Sequence, residues 1–405
     1  MNRNTIKKII ASGLIIVTTV VFAEINNNGL KMPGNIAFNS IVEAEEISTG
    51  NTEAVKEDKS KVLPEVKNYS LKQSNINILS GKPGNVTVSW TKNSKANGYQ
   101  IQYSTDQNFV SSKIKTIKGQ NKNSTKLAKL NSKKNYYVRV RGYAKKGRNK
   151  YYSDWSSCAE IISWNSKWEF ASYSKIHTDS AVLYFSSASK VKNKTVCINA
   201  GHGTKGGESV KTLCHPDGSA KVTGGSTAQG AIRATSINGG TTLNDGTPEA
   251  KATLNLIVKQ KLLKAGYNVL MVREGEDAQI DNIGRTVYAN NCADYHIALH
   301  YDSTSSNKGA FYIGVPDNQS YKNMYPVSKN WKKHNKLGKN LVLGMKNAGV
   351  KIHGNGVMGI DLTQTSYSTI PSVDLEVGDK SSNHSNKTLE TIAVGIVKGM
   401  NKVNK

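Results

Sequence analysis

Thr195-Val-Cys-Ile-Asn-Ala-Gly-His-Gly203 decides how this chain is read. Thr195–Ala200 has the β-branched and apolar content of a buried strand, and Gly-His-Gly follows it at once as a turn. Working outward, Thr247-Pro-Glu249 opens a helix, with Thr247 as N-cap and Pro248 at the first position. Leu254, Ile257, Val258 and Leu262 continue it at helical spacing, and Gly266 stops it. A strand over 267–272, a helix over 284–291 and a strand over 295–300 come next. A helix over 337–348, a strand over 372–377 and a closing helix over 388–401 complete the pattern. Strands alternating with helices over residues 191–405 imply an α/β domain around a mainly parallel sheet. There is no internal repeat.

Functional groups of an open α/β sheet gather at the carboxyl ends of its strands. His202 follows the first strand directly, and His300 closes the strand over 295–300. Glu376 stands near the end of the strand over 372–377, and Glu249 in the first turn of its helix. Four segments far apart in sequence are thus expected at one sheet edge. Two His and one carboxylate suit a zinc ion and leave a position for water. His202, Glu249 and His300 are the candidate ligands, with Zn²⁺ as the cofactor. Glu376 is the candidate catalytic group, a general base toward the attacking water and then a general acid toward the leaving nitrogen. The glycines beside His202 let backbone approach the metal closely.

Other polar residues read less specifically. His296 shares a strand face with His300 and is taken as a supporting or packing residue. His215 and His353 read as surface-loop histidines. Arg273 and Arg285 read as partners of carboxylates that brace the fold.

Residues 67–163 follow a different pattern of short runs that alternate with period two. Asn85-Val-Thr-Val-Ser-Trp90, Tyr99-Gln-Ile-Gln-Tyr103 and Tyr137-Val-Arg-Val-Arg-Gly-Tyr143 predict the half-buried strands of a β-sandwich. The segment resembles a fibronectin type III domain. The resemblance is carried by Val86-Thr-Val-Ser-Trp90, Gly98-Tyr99, Leu130 before Tyr136-Tyr-Val-Arg-Val140, and Tyr152-Ser-Asp-Trp-Ser156. It implies a spacer or binding module. Residues 164–190, with Trp164, Trp168, Phe170 and Tyr173, form a connector without an assignable role.

The chain has 405 residues, room for two or three domains, and its mean hydropathy of −0.49 excludes a polytopic membrane protein. Residues 1–23 place lysines before a short apolar run, which reads as a signal peptide cleaved after Ala23 or Ala44, hence a secreted protein. Residues 24–66 read as a flexible linker with 8 acidic and 4 basic residues. Residues 67–163 carry 19 Lys and Arg against 3 Asp and Glu, a net of +16. For a secreted protein this charge suggests anionic cell-wall polymers rather than nucleic acid as partner, or equally a solvated basic surface that aids solubility. Four scattered cysteines without a CxxC pair argue against a cysteine zinc site and a disulfide scaffold.

Residues 191–405 resemble the zinc-dependent N-acetylmuramoyl-L-alanine amidases of cell-wall hydrolases and autolysins. The motifs are Ile198-Asn-Ala-Gly-His-Gly203, Pro248-Glu-Ala-Lys-Ala-Thr-Leu254, Gly266-Tyr-Asn-Val-Leu-Met-Val-Arg273 and Arg285-Thr-Val-Tyr-Ala-Asn290. They continue in Ala293-Asp-Tyr-His-Ile-Ala-Leu-His-Tyr-Asp-Ser303 and Pro371-Ser-Val-Asp-Leu-Glu-Val-Gly378. The resemblance implies ligands at His202, Glu249 and His300 and a catalytic Glu376. It also implies peptidoglycan as partner and cleavage between N-acetylmuramic acid and L-alanine of the stem peptide. The chain departs from the family at Asn199, where Asp is usual, at Tyr301-Asp302 and at Val377-Gly378-Asp379. The long 204–246 segment reads as a loop near the site. The rival readings are a non-catalytic peptidoglycan-binding or adhesion protein and a zinc peptidase acting within the stem peptide.

Overall fold

The fold is described from a computed structural model for residue 71, residues 75–79 and residues 84–403. The expected signal peptide, 1–23, and linker, 24–66, lie outside the described residues.

The alternating runs of the first part do form strands. They are β1 (Ile76–Leu79), β2 (Val86–Trp90), β3 (Gly98–Ser104), β4 (Lys113–Lys118), β5 (Ser124–Leu127), β6 (Tyr136–Lys146), β7 (Asn149–Tyr152) and β8 (Ala159–Ile162). β1, β2 and β5 pair as one antiparallel sheet, and β4, β3, β6 and β8 pair in order in the facing one, with β7 on β6. In β2, Val86, Val88 and Trp90 are buried while Thr87 and Ser89 are half-exposed, as period two requires. Ile78, Val88, Tyr99, Ile101, Val138 and Val140 are fully buried between the sheets. Each aliphatic side chain so buried contributes about 1.5–3 kcal/mol. The edge strand β4 carries exposed Lys113, Lys115 and Lys118, which disfavour edge-to-edge pairing.

The second part contains β9 (Ala181–Tyr184), β10 (Thr195–Ala200), β11 (Lys211–Leu213), β12 (Arg233–Thr235), α1 (Glu249–Asn255), α2 (Val258–Lys264), β13 (Asn268–Met271) and α3 (Asn282–Cys292). It continues with β14 (Tyr295–Asp302), β15 (Ala310–Gly314), α4 (Gln319–Asn323), α5 (Val327–Lys346), β16 (Ile352–Gly359), α6 (Thr363–Tyr367), β17 (Ser372–Asp379) and α7 (Asn386–Val403). β13, β10, β14 and β17 run parallel side by side. β15 is antiparallel to β17, and β16 closes the edge parallel to β15. The sheet is therefore mixed around a parallel centre.

Several boundaries differ from expectation. The single helix expected from Pro248 is two, because Leu256 takes ψ 120° and is buried in the core. Pro248, not Thr247, occupies the capping position of α1, and no side chain caps it. α5 begins at Val327, ahead of the expected 337. All four cysteines are free. No helix among the described residues is long and apolar enough to cross a membrane.

The connector supplies a join. β9 pairs antiparallel with β8 on one side and with β13 on the other, so the strands from β16 to β4 belong to one 12-stranded sheet. Trp164 and Trp168 meet the Tyr288 ring edge-on at 5.3 and 5.5 Å. The buried Tyr184 hydroxyl accepts the Ile78 N–H at 2.9 Å and donates to Glu274, which also pairs with Lys259. Removing the hydroxyl orphans a buried donor, so Tyr184→Phe is expected to cost about 1–3 kcal/mol in urea unfolding.

His296 of β14 is fully buried, and neither ring nitrogen has a partner. Burial, with the nearby charges of Arg285 and His334, lowers its pKa to about 3. The unfolded chain, with its ordinary value near 6.5, therefore binds the proton more tightly. The stability due to neutral His296 is present above about pH 6.5 and is lost as pH falls toward 3. Metal-free wild type should thus lose melting temperature between pH 7 and 4 more steeply than His296→Leu in parallel thermal scans.

Candidate metal centre and cleft

β10 delivers His202 to the carboxyl edge through a turn with no spare room. His202 takes φ 63°, a left-handed conformation costly for a residue with a Cβ. A Cβ on Gly201 would lie 2.2 Å from the His300 ring, so only glycine fits there. Two fully buried arginines hold this turn. Arg273 donates to the carbonyls of Ala200 and Gly201 at 2.9 and 2.8 Å. Arg285 donates to Ala200 and His202 at 3.1 and 2.7 Å, and to Asn199 Oδ1 at 3.0 Å. They do brace the fold, but through backbone carbonyls rather than through the carboxylates expected. Burial lowers the pKa of Arg273 to about 10, opposed by the charge of Glu249.

His202, Glu249 and His300 come together. His202 Nε2 lies 2.9 Å from Glu249 Oε1, and His300 Nδ1 lies 3.0 Å from each of those two atoms. His202 Nδ1 faces the Asn238 carbonyl at 2.9 Å. A carbonyl only accepts, so Nδ1 carries the proton, and in the neutral ring Nε2 directs a lone pair at the other two residues. The Glu249 carboxylate is pinned by the N–H groups of Thr241, at 2.9 Å, and Tyr301, at 3.0 Å. Burial opposes its charge, but the adjacent His202 and His300 rings hold its pKa below the usual carboxylate range. Burial likewise opposes the His300 imidazolium, yet Asp374 and Glu249 raise it to about 10. Three donors of this kind, each oriented from behind, fit a zinc ion.

Glu376 stands beside His300 in register on β17 and lines the same cleft, which has a volume of about 770 Å³. Sequence reasoning missed Asp374, two residues earlier on the same face of β17, which also lines the cleft. Asp374 Oδ1 and Glu376 Oε2 have no hydrogen-bond partner. Burial and the Asp374 charge raise the Glu376 pKa well above its ordinary value, and burial raises that of Asp374. Such a wall favours a cation at the ligand cluster. The only sequence signal for Asp374 was a second acidic residue two positions before Glu376, on the same strand face.

The 204–246 segment builds both the site and one cleft wall. Asn238 and Thr241 hold His202 and Glu249, while Gly224, Gly225 and Ser226 line the cleft. The segment is tied down at the fully buried Asp361, which accepts from His215 Nε2 at 3.1 Å, Lys221 Nζ at 2.8 Å and Val222 N at 2.7 Å. His215 is therefore a buried anchor rather than a surface residue. His353 packs its ring against Phe311.

A parallel-centred sheet with a His–Glu–His cluster and a cleft at its carboxyl edge defines a candidate metallohydrolase. The N-acetylmuramoyl-L-alanine amidase profile matches residues 196–402, and the chain belongs to that family; it is a peptidoglycan amidase. The fibronectin type III profile matches residues 73–159. Among solved structures, the apo N-acetylmuramyl-L-alanine amidase Ami1 of Mycobacterium abscessus is 18% identical, with 53% of this chain and 100% of that one covered and a TM-score of 0.43. The catalytic domain of CwlV from Bacillus (Paenibacillus) polymyxa is 17% identical, with 52% and 97% covered and a TM-score of 0.36. No curated protein matches the chain.

Gly240 tests the contribution of the long segment. Its φ is 80°, and a Cβ there would lie 2.7 Å from the His202 ring and 3.0 Å from Glu249 Oε2. Gly240→Ala should weaken zinc binding by about tenfold or more, measured by equilibrium dialysis.

Proposed function

We propose that the protein is a secreted zinc amidase that cleaves the amide between the lactyl carbonyl of N-acetylmuramic acid and the L-alanine nitrogen. His202, Glu249 and His300 hold the metal, and Glu376 moves the proton. The observation that carries this reading is the mutual approach of the three ligand atoms to 2.9–3.0 Å, with Glu376 in register beside His300. When bound there, zinc supplies Lewis acidity toward the scissile carbonyl and acidifies water. Glu376 accepts a proton from the attacking water as its oxygen bonds to the carbonyl carbon. It then delivers that proton to the nitrogen as the carbon–nitrogen bond breaks. Its partnerless Oε2 leaves it free for this exchange.

The layout that goes with this reading is a leader, 1–23, a linker, 24–66, a basic fibronectin-like module, 67–163, a connector, 164–190, and a catalytic domain, 191–405. The module's net charge of +16 supports retention on anionic wall polymer. Retention on purified walls should then weaken as ionic strength rises toward 1 M, where the Debye length is about 3 Å.

Peptidoglycan digested by the zinc-loaded protein should release whole stem peptides beginning with L-alanine, seen by mass spectrometry. Chelation should abolish the release and zinc restore it. Glu376→Gln should lower kcat by about 10²–10⁴-fold. Fragments cut within the stem would assign a peptidase instead.

A further inference from the structure

We infer that Asp374 is a positioning residue for the metal centre, its carboxylate backing the ring nitrogen of His300 that faces away from the metal. This rests on reading His202, Glu249 and His300 as the ligands. The two nitrogens of His300 have distinct surroundings. Nδ1 lies 3.0 Å from both His202 Nε2 and Glu249 Oε1, while Nε2 faces Asp374 Oδ2 at 3.9 Å. The compact group of ligand atoms, all within 4.8 Å of one another, comprises His202, Glu249 and His300 without Asp374. Asp374 therefore acts from behind the ring and not as a fourth ligand.

Strand register explains the division of labour on β17. Glu376 pairs with His300 across the sheet, and Asp374 pairs with Ala298, two residues further from the carboxyl end. Both side chains lie on one face, with Asp374 behind the ring. At 3.9 Å the contact is one of charge and is long for a hydrogen bond. Among the described residues no hydrogen bond reaches Oδ1, and the Asp374 side chain is only 15% exposed. An apolar residue would fill this position at lower cost. A carboxylate behind a ligating imidazole fixes the ring orientation and tautomer and makes the ligating nitrogen more basic.

The test is zinc affinity of the full chain, measured by competition with a chromophoric chelator, alongside thermal unfolding of the metal-free protein. Asp374→Asn and Asp374→Leu should weaken zinc binding by about 10–100-fold. The metal-free melting temperature should change little, because the repulsion toward Glu376 and the attraction to His300 are lost together. Asp374→Glu should recover part of the affinity, and Glu376→Gln should change it less than Asp374→Asn does. Zinc affinity of Asp374→Asn within about twofold of wild type would overturn the inference. So would affinity and metal-free stability falling together in all three Asp374 variants, the mark of a merely structural role. Failure of the wild type itself to bind zinc would instead sink the metal reading on which the inference stands.

Discussion

Two arginines without solvent exposure hold the turn that follows β10, and the position of every candidate ligand depends on that turn. Four guanidinium hydrogen bonds end on the successive carbonyls of Ala200, Gly201 and His202. A buried guanidinium must be fully hydrogen-bonded, and its planar fork reaches several carbonyls at once, which a lysine cannot do. The backbone at His202 can therefore keep an unfavourable φ of 63°. With that turn fixed, the absent side chain of Gly201 lets His300 close in, and Glu249 completes the cluster from the start of α1.

The rest of the molecule supports this edge from two directions. On one side, β9 extends the sheet without interruption from β13 to β8, and the Tyr184 hydroxyl links β1 to the Glu274–Lys259 pair. On the other, the long segment after His202 is anchored at Asp361 and returns to the site through Asn238 and Thr241. The metal candidates thus rest on groups from the sheet and from the insertion alike.

What was legible in the sequence follows from its periodicities. The buried run 195–200, its Gly-His-Gly turn and the apolar strand ending at His300 fix strand ends, so His202 and His300 could be placed at one edge. Glu249 was legible because proline before an acidic residue marks a helix start. The outer partners were not, since the carbonyl of Asn238 and the N–H of Thr241 are backbone groups that any residue carries. His215 read as a surface residue because its anchor, Asp361, lies 146 positions away. The connector was opaque for a similar reason: Ala181–Tyr184 becomes a strand through its neighbours on both sides. Arg273 and Arg285 suggested carboxylate partners by charge alone, whereas the folded chain offers them carbonyls.

The central claim is that one zinc ion sits among His202, Glu249 and His300. The most direct measurement is an anomalous difference map at the zinc absorption edge from crystals of the zinc-loaded protein. The account predicts a peak between His202 Nε2, His300 Nδ1 and Glu249 Oε1, at about 2.0–2.2 Å from each. A peak at other residues, or none at that cluster with zinc in excess, would contradict it.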